Sequence, residues 1–88
     1  MLKVNPTTRF KKDLKKAGKQ GRNPSKLKAI IDLLASGEDL PEKCRDHVLI
    51  GNYVGHRECH IQPDWLLIYK IDGEYLILVR TGSHNVLF

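Results

Sequence analysis

The sequence predicts an α+β domain in which two N-terminal helices pack on one face of an antiparallel β-sheet. Apolar residues in the first 37 positions recur three or four apart, whereas those after position 46 alternate or form runs rich in β-branched residues. The pair Asp72-Gly73 adds a tight-hairpin turn between two such runs. Helices followed by strands are typical of α+β domains, and 88 residues with 41% hydrophobic content suit one domain over residues 1–88.

The first helix follows a short strand that we expect over residues 2–5. Thr7 or Thr8 can cap this helix through a side-chain oxygen, and glycines end it near Ala17. Its apolar residues share one face, opposite the lysines: Phe10, Leu14 and Ala17. The pattern therefore predicts an amphipathic helix with a basic outer surface.

The second helix has a stronger start signal than the first. Asn23 can cap it, and Pro24 suits the first helical position because the N–H group there has no partner within the helix. Gly37 supplies the stop. Its buried face is predicted from apolar residues at positions i, i+3, i+4 and i+7: Leu27, Ile30, Ile31 and Leu34.

Four strands are predicted after an acidic loop over Glu38–Asp46. Each is a run of alternating or β-branched residues, and the last two are joined by the Asp72-Gly73 turn. This order indicates an antiparallel meander. The predicted strands are Val48–Tyr53, His56–Ile61, Trp65–Ile71 and Glu74–Arg80.

The net charge of +5 is divided unevenly along the chain. Residues 1–30 carry ten Lys or Arg against Asp13 alone, which gives +9, and the remaining residues carry −4. Such a surface attracts polyanions, and each phosphate contact releases condensed counterions. We therefore expect a nucleic acid or the ribosome as partner, with Lys11 and Lys12 among the contacts. The alternative is a solvated lysine-rich helix that only keeps the protein soluble.

The sequence shows no feature of a membrane or secreted protein. No apolar run approaches the ~18 residues of a membrane span, and the N-terminus lacks the apolar core of a signal peptide. We expect a cytoplasmic protein that does not bind membranes. Cys44 and Cys59 fit no CxxC pattern, so we expect two free thiols and no zinc site.

The last third of the chain groups residues that can move protons at neutral pH. Unperturbed histidine titrates near ~6.5, which suits a general acid or base. Strand alternation places Glu58 and His60 on one face, and Asp64 just beyond the strand can reach His60 and fix its tautomer. The group comprises His47, His60, Asp64, Trp65, His84 and Phe88.

A metal site is a second chemical interpretation of this region, with His56, His60 and Asp64 as ligands. Residues i and i+4 of a strand lie roughly 13 Å apart at ~3.3 Å per residue, too far to share one ion. We therefore expect no metal and no cofactor, and we expect His56 to be a half-buried structural side chain.

Three motifs in this order resemble one known family. They are DH-x-L-x-G in KCRDHVLIG, H-x-x-PDW in CHIQPDWLLIYK, and RTG-x-H before a terminal aromatic in VRTGSHNVLF. Their order and distances are similar to those of the YafQ branch of the RelE-type bacterial toxins. The resemblance covers essentially the whole chain and implies the RelE-like microbial RNase fold.

The resemblance implies the toxin component of a type II toxin–antitoxin system, an endoribonuclease that cleaves mRNA in the ribosomal A site without a metal. It also implies a cognate antitoxin with a DNA-binding N-terminus and an acidic C-terminal segment. By the same resemblance the catalytic positions are His47, His60, Asp64 and His84. The substrate-binding positions are Trp65, Phe88 and the nearby Arg80.

RNA cleavage needs a base for the 2′-OH, an acid for the departing 5′-oxygen and cations for the crowded phosphate. We expect His47 and His84 to be the acid–base pair, with Arg80 as phosphate clamp and His60 with Asp64 as a supporting dyad. Trp65 could instead lie in the core, and a terminal Phe88 could seal it. The alternative functions are a noncatalytic ribosome- or RNA-binding module and a toxin of the same fold that acts on gyrase.

Overall fold

A computed structural model describes residues 1–88, with residue 52 described by its backbone alone. The described residues form two layers, in which helices pack on a β-sheet. The helices are α1 (Thr8–Lys19), α2 (Pro24–Ala35) and α3 (His84–Leu87). The strands are β1 (Lys3–Pro6), β2 (His47–Val48), β3 (Arg57–Gln62), β4 (Trp65–Asp72) and β5 (Tyr75–Gly82). The predicted α+β class is confirmed.

The strand order across the sheet is β1-β5-β4-β3-β2. β2 to β5 form the expected antiparallel meander, but β1 pairs in parallel with β5, from Lys3 opposite Tyr75 to Pro6 opposite Leu78. The sheet is therefore mixed rather than purely antiparallel. Two helices lie between β1 and β2, and a connection of that length allows β1 to join the far edge of the sheet in parallel.

Both long helices begin at the predicted caps. The backbone N–H of Phe10 donates to Thr7 Oγ1 (3.1 Å), and that of Ser25 donates to Asn23 Oδ1 (3.0 Å). α2 ends in a Schellman motif in which Gly37 adopts a φ of 78° and the N–H of Glu38 bonds the carbonyl of Leu33. No helix among the described residues combines the length and apolar character needed to cross a membrane.

The core lies mainly between the sheet and the helices. Alternate residues of β4, namely Trp65, Leu67 and Tyr69, face α1 and α2, while Leu66 and Ile68 face the opposite side. All five are at most 1% exposed, which explains the continuous apolar run in this strand. We call the side of Leu66 and Ile68 the open face, because the helices α1 and α2 cover the other one.

The predicted strand over Val48–Tyr53 is wrong beyond its first residue. β2 contains only His47 and Val48, and a 3₁₀ turn over Gly51–Tyr53 follows it. Gly51 has a φ of 76°, a left-handed conformation that breaks an extended strand. The short helix α3 is an addition to the predicted elements.

Both cysteines are buried thiols, Cys44 at 3% and Cys59 at 0% exposure. Burial raises the pKa of each thiol above its ordinary value, so both stay protonated at neutral pH. We expect iodoacetamide at pH 8 to alkylate the native protein at least about tenfold more slowly than the urea-unfolded protein, because only the thiolate reacts. Equal rates, measured by mass spectrometry, would contradict the buried positions.

Candidate active site

Strand register places the candidate residues in two rows across the sheet. His47 on β2 lies opposite Glu58 on β3, which lies opposite Ile68, which lies opposite Arg80 on β5. The second row runs from His60 through Leu66 to Gly82, two residues before His84. With strands about 4.8 Å apart, the backbones at the two ends of the second row are about 10 Å apart.

An apolar floor separates the two ends of these rows. It consists of the fully buried Leu66 and Ile68, covered at one end by Leu87 of α3. Partly buried side chains surround it: Leu49, Tyr53 and Val79. The open face therefore carries polar groups along two opposite margins, with an apolar strip between them.

Glu58 joins two of the histidines. Its carboxylate is only 7% exposed, and Oε1 lies 3.6 Å from Nε2 of His47 and 3.8 Å from Nε2 of His60. A buried carboxylate needs a polar or charged partner, so its contacts with the two imidazoles hold both rings in place. Sequence reasoning placed Glu58 on the correct face but gave it no role, since its closeness to His47 depends on the β2–β3 register.

The backbone before β2 is fixed so that His47 points toward Glu58. Asp46 accepts hydrogen bonds from the hydroxyl of Tyr69 (2.6 Å) and from Nε of Arg57 (3.2 Å). Nδ1 of His47 contacts the carbonyl oxygen of Arg45. Both ring nitrogens of His47 therefore face oxygen acceptors, one from the backbone and one from a carboxylate.

The expected dyad of His60 with Asp64 is not what the structure shows. The carboxylate of Asp64 is 78% exposed and pairs with Nη1 of Arg22 at 3.4 Å. The guanidinium carbon of Arg22 also lies 5.5 Å from the centroid of the Trp65 ring. A register shift between His60 and Gln62 precedes the turn, and Glu58 takes the place beside His60 that the sequence suggested for Asp64.

Arg80 is held by Asp13, the acidic residue of α1. Its Nε and Nη2 donate to the two carboxylate oxygens at 3.0 and 3.1 Å, and the N–H of Thr81 adds a bond of 3.3 Å. The hydrogen bonds from its guanidinium to Asp13 raise the pKa of Arg80 further, so it remains a cation. β1 ends opposite Leu78, which leaves the edge of β5 open to Asp13 at this point.

Trp65 is a core residue. It is 0% exposed, and its Nε1–H donates to Thr81 Oγ1 (2.8 Å), which in turn donates to the carbonyl of Leu66 (2.7 Å). The expectation that Trp65 contacts RNA disagrees with this burial, and the alternative of a core position agrees with it. The presence of a tryptophan in the sequence does not distinguish a core position from an RNA contact, because tryptophan occurs in both.

Exposed aromatic rings stand at the C-terminal margin of the open face. The ring of Phe88 lies 5.1 Å from that of His84 and 5.8 Å from that of Tyr53, centroid to centroid, and Phe88 is 55% exposed. The sequence indicated His84 and Phe88 but not Tyr53, which lay in the wrongly predicted strand. Lys11 and Lys12 are exposed on α1.

The arrangement of the side chains gives little support to the alternative of a metal site. Among those that the structure describes, His, Cys, Asp and Glu form no group of three or more arranged to hold an ion.

Several known proteins resemble this chain over most of its length. The family described as the bacterial toxin of type II toxin–antitoxin systems, YafQ, matches residues 2–88. The mRNA interferase toxin YafQ of Escherichia coli strain K12 is 41% identical over 80 residues, which are 90% of this chain and 87% of that protein. A copper-bound mutant toxin from Helicobacter pylori has a TM-score of 0.96 and 42% identity over the full length of both chains. A chain of the Escherichia coli DinJ–YafQ complex has a TM-score of 0.91 and 37% identity, covering 100% of this chain and 99% of its own.

The burial of Trp65 leads to a stability prediction. Trp65→Phe leaves a hydroxyl lone pair of Thr81 without its donor, so we expect the free energy of unfolding to fall by about 1–3 kcal/mol. Urea unfolding followed by far-ultraviolet circular dichroism measures this. The control is Phe88→Leu at an exposed ring, expected within about 0.5 kcal/mol of wild type. An unchanged stability of Trp65→Phe would mean that this ring is not a core group.

Proposed function

This chain belongs to the YafQ family of bacterial toxins from type II toxin–antitoxin systems, and we propose that its histidines cleave mRNA by metal-independent acid–base chemistry. Family membership confirms the resemblance that the motifs indicated. As a member of this family the chain is an mRNA interferase, an endoribonuclease.

The proposal rests on the placement of polar groups at two opposite margins of the open face. The open face holds His47, Glu58 and His60 on one margin, while Arg80 and His84 lie near the other. An RNA strand on the apolar floor would thus meet proton-transfer groups from both sides of its phosphate. This arrangement suits a reaction in which one group removes a proton and another delivers one.

RNA supplies its own nucleophile, the 2′-hydroxyl. Cleavage then requires removal of the hydroxyl proton, protonation of the 5′-oxygen that departs, and stabilisation of the charge that develops on the phosphate. Each acid or base contributes about 10²–10⁴-fold, and a preorganised donor to the phosphate about 3 kcal/mol. A cation and two or three histidines can supply both kinds of assistance.

The contacts suggest how the roles divide. Both ring nitrogens of His47 face oxygen acceptors, so we assign His47 the role of the general acid that protonates the departing 5′-oxygen. His84 then acts as the base at the opposite margin, and Arg80, fixed by Asp13, stabilises the phosphate. His60 supports His47 through their shared carboxylate. Asp64 is assigned to the pairing with Arg22 rather than to proton transfer.

The surrounding surface would bind and orient the substrate. Phe88 and Tyr53 present exposed or half-buried rings beside His84, and base stacking on such rings contributes about 1–3 kcal/mol per base. Lys11 and Lys12 belong to the +9 segment that attracts the RNA or the ribosome. Because translated mRNA lies in the cytoplasm, the proposal places the protein there.

A cognate antitoxin is part of the proposal. A relative from Escherichia coli forms a DinJ–YafQ toxin–antitoxin complex. The +9 charge of residues 1–30 would favour an acidic segment in the antitoxin of this chain. A DNA-binding N-terminus for that antitoxin remains a prediction from the family resemblance.

Substitution of His84 separates catalysis from binding. We expect His84→Ala to lower mRNA cleavage in a translating extract by at least about 10²-fold, while the wild type remains active with a metal chelator present. Primer extension on the mRNA measures both. The matched control is His56→Ala, a histidine to which we assign no proton-transfer role, expected to cleave within about threefold of wild type.

Two results would contradict the histidine mechanism. Equal growth arrest by wild type and His84→Ala would favour a noncatalytic RNA- or ribosome-binding module, to which the basic first 30 residues would also be suited. DNA breaks without loss of mRNA on induction would favour gyrase or another target.

Glu58 provides a second test within the same site. Glu58→Gln keeps the shape of the side chain but removes the charge between His47 and His60, so we expect cleavage to fall by about 10²-fold. Glu74→Gln removes the same charge from a carboxylate that is 81% exposed, and should leave cleavage unchanged. Equal cleavage by the two variants would show that Glu58 has no part in the reaction.

A further inference from the structure

We infer that a basic pocket beside His60 binds a phosphate of the mRNA next to the phosphate that is cleaved. This inference rests on the proposed function. The basic pocket is a cavity of about 560 Å³. Its cationic lining residues are Lys26, Lys43 and Arg45, and the rest of its lining includes Cys44, His60 and Gln62.

Charge is the first reason for the assignment. Three cations line the pocket from two separate segments, Lys26 on α2 and the other two around the turn before β2, and the lining includes no Asp or Glu. Within the described part of the chain, none of these three side chains forms an ion pair. By contrast, Lys3 pairs with Glu74 and Lys28 with Asp32. Unneutralised cations around a cavity suit an anionic ligand.

Position is the second reason. His60 lines the pocket and also contacts Glu58, so the pocket adjoins the proposed catalytic groups through this histidine. Its volume lies within the range of about 300–1,000 Å³ that is usual for small-ligand sites. A nucleotide can therefore enter it while the neighbouring phosphate lies against His47 and His60.

Arg45 links the pocket to the catalytic histidine. Its φ is 49°, and it is the non-glycine residue with positive φ among those described. Such conformations are uncommon and concentrate at functional sites. In this conformation the carbonyl of Arg45 contacts Nδ1 of His47 while its side chain lines the pocket. One residue thus orients a proton-transfer group and lines the phosphate site.

The test compares two double variants with the same loss of charge. Lys26→Gln/Lys43→Gln removes two pocket cations, and Lys3→Gln/Lys28→Gln removes two lysines that already pair with carboxylates. The probe is a 2′-O-methyl RNA hexamer, which cannot be cleaved, and fluorescence anisotropy gives its Kd between about 50 and 200 mM salt. We expect the pocket variant to bind about tenfold more weakly and its logarithmic salt slope to fall by about 0.7 per lost contact, with little change in the control.

Two further readouts locate the effect. The hexamer should shift the backbone amide resonances of Ile61 and Gln62 in the wild type and in the control variant, but not in the pocket variant. The pocket variant should also cleave mRNA more slowly than the control in a translating extract.

The outcomes distinguish the pocket from the proposed function. If the wild type cleaves mRNA and the two double variants bind the hexamer equally, the pocket inference is overturned while the function stands. A loss that occurs only on the ribosome, with unchanged hexamer binding, also overturns it, because the contact would then be to ribosomal RNA. If the wild type does not cleave mRNA, the proposed function fails, and hexamer binding still decides whether the pocket takes RNA phosphate.

Discussion

The pairing of β3, β4 and β5 determines where the candidate site residues lie on the sheet. Because β4 is buried on both faces, its register with its two neighbours is strongly fixed. A shift of one residue would turn Glu58 and His60 toward the helices and place Cys59 on the open face. The same register sets His60 and Gly82 at opposite ends of one row, so the separation of the two polar margins follows from sheet geometry.

Two buried carboxylates hold in place the side chains that the strand register brings to the two polar margins. Glu58 and Asp13 have side chains only 7% and 9% exposed, and each lies beside groups that carry or can carry positive charge. Burying a carboxylate is costly unless it is paired, so each one constrains its partners. Glu58 thereby holds the histidines at one margin, and Asp13 ties Arg80 to α1 at the other. The helices thus help to position the proposed phosphate-binding cation.

The sequence predicted the elements with strong periodic patterns and missed those that depend on tertiary contacts. Caps and apolar spacing identified α1 and α2, and alternation placed Glu58 and His60 on one face. Sequence alone could not give the β2–β3 register, so it paired His60 with Asp64. Four-residue α3 is too short for a periodic pattern, and the branched residues after His47 concealed the break at Gly51. The motif around Trp65 indicated function, whereas packing placed the ring in the core.

In the proposed mechanism the protein supplies acid, base and cation, while the RNA supplies the nucleophile. The most direct test is an mRNA with a single 2′-deoxynucleotide on the 5′ side of a mapped cleavage site. We expect cleavage at that site to disappear, and we expect the unmodified mRNA to yield a downstream fragment with a 5′-hydroxyl end. Continued cleavage of the modified mRNA, with a 5′-phosphate on the downstream fragment, would contradict it.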